Sequence, residues 1–383
     1  MTHEVEITGL ANGGDGFCRV NGEVCFVPYA LPGDNVLLQV NAKVRGALRG
    51  TILEVLEPSV HRSQPSCAVF GRCGGCTWLH FDYPAQAEWK RRIVKDCFSR
   101  IGKLDVDVDW LEDPALRCGY RTRATFRRDE SRWGFYEARS HEVVDISECP
   151  LCHPRLNAAL LALRTTNATG PVEITVNPEG DEILAWSDQD ATPLKDVFPL
   201  SNSPRDAGRR EYFSFDGVPI VNGAFAQSSL LLNRVLVRYV HALIGDASSL
   251  LDLYCGTGNF SLALTDRMRV VGIDHDGTAI MAAGKIGGGE YRIGDEGEFK
   301  EHIGASAWDV IILDPPRAGA KRITHALAEC KAGRIVYVSC DPATLARDAA
   351  ILLRGGWSVL SVTAIDMFPH TAHIECAACF ERA

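Results

Sequence analysis

Residues 249–264 read SLLDLYCGTGNFSLAL, and this stretch decides the fold class. An apolar strand runs into a turn with two glycines, Gly256 and Gly258, and then into a predicted helix start, as in a cradle for a nucleotide-type ligand. A second strand, RVVGIDHD, ends in Asp274, about 18 residues after the first glycine. That is close to the spacing at which an acid reaches ribose hydroxyls. The pattern G-T-G-N-F differs from G-x-G-x-x-G, which disfavours a dinucleotide.

Two further predicted strands follow along the chain. AWDVIILDPPR ends at Asp314, and RIVYVSC ends at Cys340. Alternating buried strands and helices predict an α/β fold with a doubly wound, Rossmann-like sheet, in which the carboxyl ends of the strands border the ligand crevice. We therefore expect Tyr254, Asp274, Asp314 and Cys340 to converge there.

A cysteine in this crevice has a chemical use if the acceptor is a pyrimidine. C5 of uracil is a poor nucleophile until a thiolate adds at C6 and generates an enolate. After C5 is alkylated, its hydrogen must leave as a proton, which requires a general base. The last predicted strand, TAHIECAACFERA, supplies Glu375 as the candidate base, whereas we expect His373 to be satisfied or to face solvent.

The rest of the chain predicts two more domains. Five short predicted strands between residues 4 and 57 are typical of a small OB-like β-barrel. Mixed strands and a helix after it predict a central α+β domain, with a loop at residues 201–217. We divide the chain into a barrel at 1–58, a central RNA-binding domain at 59–220 and a catalytic domain at 221–383.

Composition narrows the class of protein. The chain has 383 residues, of which 46% are hydrophobic and 23% charged, so a wholly disordered chain is excluded. The net charge of -9 argues against a protein that coats polyanions nonspecifically. No run of about 18 apolar residues and no signal-peptide pattern is present, so we expect a cytoplasmic protein without a membrane partner. Oligomeric state is not determined by these features, and a monomer is favoured.

Fourteen cysteines in a long chain of this kind indicate metal ligation or catalysis rather than disulfides. Cys67, Cys73 and Cys76 form C-x5-C-x2-C, which needs a fourth ligand, and Cys149 and Cys152 are the candidates. Zinc and an iron–sulfur cluster fit these residues equally well. Cys255, Cys376 and Cys379 are interpreted as packing residues.

Seven arginines between residues 117 and 139 predict an RNA-binding surface, since aromatic residues alternate with them. The arginines are Arg117, Arg121, Arg123, Arg127, Arg128, Arg132 and Arg139. Lys90, Arg91, Arg92 and Lys95 add a predicted basic helix face. A solvated charged face without a partner is the alternative.

The motifs DLYCGTGNF, LDPPRAG, YVSCDPATLARD and HIECA closely resemble those of the RNA uracil-5-methyltransferase family, and the barrel resembles the TRAM domain of its ribosomal-RNA branch. The resemblance implies S-adenosylmethionine-dependent methylation of uridine C5, with Cys340 as nucleophile and Glu375 as base. It also implies a [4Fe–4S] cluster held by Cys67, Cys73, Cys76 and Cys149, and 23S ribosomal RNA as substrate. The positions that match the cofactor pocket are Gln227, Tyr254, Asn259, Asp274, Asp295 and Asp314.

The sequence departs from the family pattern at two places. Ser229 stands where the family usually has asparagine, and the glycine-rich stretch before Asp295 makes that assignment the least secure. Three other functions are weighed: a transfer-RNA uridine methyltransferase, an amino-methyltransferase and a noncatalytic RNA-binding factor on the same fold. Arg317 stands where amino-methyltransferases carry a stacking aromatic residue, and the noncatalytic reading conflicts with the retained Cys340 and glycine turn.

Overall fold

The computed structural model describes residues 2–206 and 210–382. Within those ranges the chain forms two six-stranded sheets, a two-stranded hairpin and an eight-stranded sheet. None of the helices in those ranges is long and apolar enough to cross a membrane.

The amino-terminal sheet encloses its own core and has six strands rather than the predicted five. Alternate side chains such as Cys18, Val20, Val36 and Leu38 point into this core. The first predicted strand is broken near Ile7, because the chain there changes its hydrogen-bond partners. The strands lie in the order β1-β5-β6-β4-β3-β2, and β1 also contacts β3, which curves the sheet into a barrel. They are β1 (Thr2–Glu6), β2 (Gly9–Leu10), β3 (Gly16–Val20), β4 (Glu23–Val27), β5 (Asn35–Val44) and β6 (Ala47–Glu57).

The segment after the barrel contributes to the carboxyl-terminal part of the molecule. Helix α1 (Tyr83–Cys97) continues into a π-helical turn (Phe98–Gly102), and β7 (Asp109–Leu111) follows. Apolar residues of this segment, including Trp78, Phe81 and Val94, share one core with the carboxyl-terminal sheet. That core therefore extends across the predicted domain boundary at residue 220.

The central sheet has the order β10-β9-β8-β11-β12-β13, and α2 buries Leu156, Leu160 and Leu163 against it. Its elements are β8 (Arg123–Asp129), β9 (Arg132–Tyr136), β10 (Val143–Asp145), α2 (Pro154–Leu163), β11 (Val172–Val176), β12 (Ile183–Ser187) and β13 (Leu200–Asn202). A hairpin of β14 (Tyr212–Phe215) and β15 (Val218–Val221) follows. The loop predicted at 201–217 thus includes strand residues at both ends, and residues 207–209 lie outside the described part.

The carboxyl-terminal sheet has the order β18-β17-β16-β19-β20-β22-β21-β7. The five strands from β18 to β20 are parallel, as predicted, and β22 is antiparallel to both of its neighbours. Its elements are α3 (Leu230–Ile244), β16 (Ser249–Leu253), β17 (Arg269–Asp274), α4 (Gly277–Ile286), β18 (Glu290–Ile293), α5 (Glu296–Ala305), β19 (Val310–Leu313), α6 (Thr324–Glu329), β20 (Arg334–Ser339), α7 (Pro342–Arg354), β21 (Trp357–Ile365) and β22 (Glu375–Arg382).

One local prediction in this domain is wrong. The helix expected directly after the glycine turn is only a short 3-10 helix at Leu262–Leu264. A single 3-10 turn of this kind does not provide the N-terminus of a long α-helix next to the glycine turn.

Candidate active site

The glycine turn after β16 adopts backbone conformations that favour glycine. Gly256 and Gly258 have φ values of 55° and 85°, and Tyr254 between strand and turn also has a positive φ of 60°. A side-chain carbon added at Gly256 would meet no atom within 4 Å. The backbone at Gly256 therefore faces open space, where a ligand can approach it closely.

Asp274, at the end of β17, is tied to this turn. One of its carboxylate oxygens accepts from the Gly256 amide at 2.9 Å, and the other accepts from the Asp276 amide at 2.8 Å. The carboxylate is buried, and each oxygen keeps a second lone pair. The arrangement suits a carboxylate that accepts hydrogen bonds from the hydroxyls of a ribose.

Three carboxyl groups, those of Asp252, Asp274 and Asp314, lie close together at this edge of the sheet. Burial raises the pKa of Asp252 to about 7, and the nearby Asp314 and Asp274 add to the effect. Both carboxyl oxygens of Asp252 are buried and have no hydrogen-bond partner among the described residues. Burial and the nearby Asp274 raise the pKa of Asp314 to about 7 as well. Sequence reasoning missed Asp252, although it lies inside the DLYCGTG motif. A cluster of acids suits a cationic ligand, such as one that carries a sulfonium group.

The other predicted pocket residues differ in their burial and in their hydrogen-bond partners. Asn259 and Asn233 exchange two side-chain hydrogen bonds, at 2.7 and 3.1 Å. Asp295 is exposed and caps α5, accepting from the Gly297 amide at 2.8 Å. Gln227 is half-buried just before α3. Asp295 thus has a structural role of its own.

The departure at Ser229 leaves the helix cap intact. Its hydroxyl accepts from the Leu232 amide at 3.0 Å, at the N-terminus of α3. Serine is a good N-cap residue, so the usual asparagine is not needed to begin this helix.

Cys340 and Glu375 are brought together by strand pairing. Ser339, the last residue of β20, pairs with Cys376 in the antiparallel register of β22. Extending this register by one residue places Cys340 opposite Glu375. The half-buried Cys340 also lies at the carboxyl edge where Asp314 ends β19, so this pair adjoins the glycine turn.

Burial and charge oppose ionisation of both groups. Burial, Glu375 and Asp314 raise the pKa of the Cys340 thiol to about 11, while Arg317 acts in the opposite direction. Burial and then Asp314 raise the pKa of Glu375 well above its ordinary value. A thiol and a carboxyl of this kind can exchange protons with a ligand between them.

His373 is exposed, in line with its expected solvent-facing position. Its Nδ1 lies 3.3 Å from a guanidinium nitrogen of Arg317.

The loop after Asp314 is anchored by a residue that sequence reasoning passed over. Asp348 on α7 accepts from the Ala320 amide at 2.9 Å and from the Tyr337 hydroxyl at 2.8 Å. Arg347 donates to the carbonyl of Ala318 at 3.0 Å. Asp348 belongs to the SCDPATLARD run, and its signal was an acid on the buried face of a helix.

The four predicted cluster cysteines line one cavity. Cys67, Cys73, Cys76 and Cys149 surround it, whereas Cys152 does not line it. Cys152 is buried beside Cys149, and this neighbouring thiol lowers the pKa of Cys149 below its ordinary value. Among the residues that the structure describes, no group of three or more His, Cys, Asp or Glu side chains could hold a single metal ion.

The predicted basic surface is mostly engaged within the protein. Arg123 pairs with Glu173 at 2.6 Å, Arg117 with Glu112 at 3.0 Å and Arg132 with Asp129. Arg128 donates to the carbonyls of Ala168 and Glu130, Arg139 pairs with Asp15, and Arg121 lines the cysteine cavity. Most of these arginines are therefore engaged in contacts within the protein.

The prediction that Lys90 forms part of a basic face of α1 is wrong. Its side chain is fully buried and pairs with Asp366 at 2.7 Å. It cannot contact RNA.

Arg127 lies in a groove of about 850 Å³ between the barrel and the central sheet. Its guanidinium lies over the ring of Tyr136, at 5.0 Å from the centroid. Tyr29, Phe135 and Thr77 also line the groove. The combination of a cation with half-buried aromatic side chains suits a single-stranded nucleic acid.

Comparison with known proteins gives one consistent family. The family described as tRNA (Uracil-5-)-methyltransferase matches residues 214–284 and 301–383, and the TRAM domain matches residues 1–53. A 23S rRNA (uracil(1939)-C(5))-methyltransferase RlmD of Methylococcus capsulatus is 31% identical, over 98% of this chain and 96% of the relative. An uncharacterized RNA methyltransferase of Nostoc sp. is 32% identical, over 98% of this chain and 95% of the relative.

A solved structure has the same fold along the whole chain. The tRNA (uracil-54, C5)-methyltransferase of Pyrococcus abyssi, crystallised with S-adenosyl-L-homocysteine, matches with a TM-score of 0.78 and 24% identity. The match covers 99% of this chain and 100% of the other. The predicted fold class, with a TRAM-like barrel and a Rossmann-like methyltransferase sheet, is confirmed. The chain therefore belongs to the RNA uracil-5-methyltransferase family, and it is an S-adenosylmethionine-dependent RNA methyltransferase.

Proposed function

We propose that this enzyme methylates C5 of a specific uridine in 23S ribosomal RNA, with Cys340 as the nucleophile and Glu375 as the base. The observation that carries the proposal is the strand register that sets Cys340 opposite Glu375, beside the glycine turn. The names of relatives that match along nearly the whole chain support the ribosomal substrate. Transfer RNA is the second candidate substrate, and the experiment below separates the two.

The residues of the carboxyl edge fit S-adenosylmethionine. Asp274 receives the ribose hydroxyls, and the open backbone at Gly256 lets the ligand approach the turn. When bound, S-adenosylmethionine supplies the methyl group on a positively charged sulfur. We assign the remaining contacts and walls of this pocket to Gln227, Tyr254, Asn259, Asp295 and Asp314.

Cys340 begins the reaction. Its thiolate forms a bond from Sγ to C6 of uracil, and the electrons of the C5–C6 double bond move to give an enolate at O4. C5 then forms a bond to the methyl carbon while the bond from that carbon to sulfur breaks, which leaves S-adenosylhomocysteine. The product of these steps is a methylated uracil still joined to Cys340.

Glu375 completes the reaction. Its carboxylate takes the proton from C5, the C5–C6 double bond forms again, and the Sγ–C6 bond breaks to release the thiolate. A buried carboxyl with a raised pKa is a stronger base once it is ionised, which suits the removal of a carbon-bound proton.

The target base must leave its stack to reach this crevice. The groove beside it is suited to the neighbouring nucleotides, because Arg127 and Tyr136 offer a phosphate contact and a stacking surface. Thr77 lies in the groove and also accepts from the Ala372 amide at 2.9 Å, close to the active site. The RNA path therefore runs from the groove over Thr77 to Cys340.

The test of this reaction uses RNA in which the target carries 5-fluorouridine. Fluorine cannot leave as a proton, so the adduct with Cys340 is trapped and migrates slowly on a denaturing gel. We expect an adduct with 23S ribosomal RNA fragments, loss of the adduct in Cys340→Ala, and no loss in Cys330→Ala, a buried cysteine at the end of α6.

Cys340→Ala should still bind the RNA, since the thiol is a small part of the contact surface. Adduct formation with transfer RNA alone would replace the ribosomal substrate by the second candidate. No adduct with either RNA, from protein that binds S-adenosylmethionine, would contradict the mechanism and favour an amino-methyltransferase or a noncatalytic role.

We further propose that Cys67, Cys73, Cys76 and Cys149 hold a [4Fe–4S] cluster that organises the RNA-binding surface. The cavity supports this, because all four cysteines line it and a [4Fe–4S] cluster is held by four thiolates. Methyl transfer requires no electron, so the cluster's role is structural.

The metal content tests this proposal. Protein purified without oxygen should contain about four iron atoms and four sulfides per chain. Cys149→Ser should lose them, whereas Cys152→Ala should keep them, because Cys152 does not line the cavity. One zinc ion per chain, or iron that persists in Cys149→Ser, would contradict the assignment.

A further inference from the structure

A buried ion pair joins α1 to the segment that leads into the base. Lys90 Nζ lies 2.7 Å from an oxygen of Asp366, and the two side chains are 0% and 1% exposed. The Tyr83 hydroxyl donates to the other oxygen of Asp366 at 2.6 Å, and Lys90 also donates to the carbonyl of Phe368 at 3.0 Å. A buried ion pair contributes little net stability, because the cost of taking both charges out of water offsets their attraction. The role of this pair therefore lies in the local conformation that it holds.

The segment it holds is residues 366–374, which connects β21 to Glu375 at the start of β22. Within this segment His370 has a φ of 63°, a left-handed conformation that is costly for a residue other than glycine. Its amide donates to the side chain of Gln86 at 3.0 Å, and its carbonyl accepts from the Trp78 amide at 3.1 Å. The strained turn is therefore maintained by contacts from outside the segment.

A third contact lies nearer to Glu375. The Ala372 amide donates to the Thr77 hydroxyl at 2.9 Å, three residues before Glu375. The connection between β21 and β22 is thus held at Asp366, His370 and Ala372 by a stretch of chain that runs from the cysteine loop into α1. Cys340 is held from other elements, since it lies between β20 and α7.

We infer that Lys90 and Tyr83, through Asp366, are positioning residues that hold Glu375 at the C5 proton of the methylated intermediate. The inference rests on the proposed role of Glu375 as the base. Because that base acts only after the methyl group has moved, loosening the 366–374 segment should slow the last step and spare the earlier ones.

The test compares three variants on RNA that contains ordinary uridine. Lys90→Met removes the buried cation, Tyr83→Phe removes one hydroxyl and leaves the ring, and Lys331→Met is the matched control at an exposed lysine. Quenched reactions on denaturing gels give the fraction of RNA joined to protein, and labelled S-adenosylmethionine gives the rate of methyl transfer in a single turnover.

We expect Lys90→Met and Tyr83→Phe to transfer the methyl group at close to the normal rate but to release the product roughly tenfold to a hundredfold more slowly, since small misplacements of a reacting group cost that much. Methylated adduct should accumulate in both, and not in Lys331→Met. If Lys90→Met does not fold, Tyr83→Phe alone tests the inference.

Glu375→Gln provides the reference for a lost base. If Glu375→Gln accumulates adduct but the folded Lys90 and Tyr83 variants do not, the positioning inference is overturned and the proposed function stands. Equal slowing of adduct formation, methyl transfer and release would also overturn it, because that pattern indicates a general structural defect. If Glu375→Gln itself forms no adduct that accumulates, the base role in the proposed function fails.

Discussion

At the scale of single residues, the proposed nucleophile lies in surroundings that oppose its activation. Cys340 is half-buried and faces two acids, whereas a thiolate must form before it can attack C6. Arg317 is the cation that counteracts them. We therefore expect the free enzyme to keep this thiol protonated.

The protonation of the Cys340 thiol should determine how the reaction rate depends on pH. Because the pKa of Cys340 is raised to about 11, the thiolate fraction increases with pH throughout the neutral range. We expect the single-turnover rate of methyl transfer to rise by about tenfold per pH unit between about pH 6 and 8. A rate that stays constant over this range would show that the thiolate is already formed in the complex with RNA.

At the scale of secondary-structure elements, the N-terminal end of α7 holds Cys340, the proposed nucleophile. Asp341 directly follows Cys340 and caps α7, accepting from the Ala343 amide at 2.8 Å and the Thr344 amide at 3.3 Å. The same helix carries Asp348, which anchors the loop after β19. One helix thus organises two of the loops that border the crevice.

Removing the cap should loosen this end of the helix. Asp341→Ala should lower the free energy of unfolding by about 1 kcal/mol and slow formation of the 5-fluorouridine adduct, since Cys340 immediately precedes the cap. Asp341→Asn keeps an equivalent cap and is the control. Thermal unfolding and the adduct rate check the two effects. Equal adduct rates in both variants would show that the cap does not position Cys340.

At the scale of the whole molecule, the groove proposed to bind RNA lies where the barrel meets the central sheet. Arg139, which follows β9, pairs with Asp15 of the barrel at 3.2 Å, and both residues line the groove. Because residues of both domains line it, neither domain alone provides the surface.

Substitution of two neighbouring arginines, Arg127 and Arg128, distinguishes a side chain that contacts RNA from one that contacts only the protein. Arg127→Gln should weaken RNA binding and reduce the slope of log affinity against log salt by about one, as expected when one phosphate contact is lost. Arg128→Gln should leave that slope unchanged, because its guanidinium donates to carbonyls of the protein. Binding measured at several salt concentrations checks the pair. An unchanged slope in Arg127→Gln would place the RNA elsewhere.

The sequence by itself determined the features that depend on local pattern. Apolar runs that alternate with helical segments predicted the parallel strands, the glycine turn after β16 and the carboxyl ends at which Asp274, Asp314 and Cys340 lie. These follow from the sequence because strand periodicity and turn conformation involve residues that are close along the chain. Family motifs added the expected roles of Cys340 and Glu375, which remain predictions until the adduct is tested.

Only the tertiary structure decided which charges have partners. Lys90 and Asp366 are 276 residues apart, and nothing in the local pattern of α1 distinguishes this buried lysine from exposed Arg91. Arg123, Arg128 and Arg132 likewise contact acids or carbonyls, and Cys149 rather than Cys152 lines the cysteine cavity. Such contacts arise when distant elements pack, because the cost of burying a charge is met only by a partner that the fold brings to it.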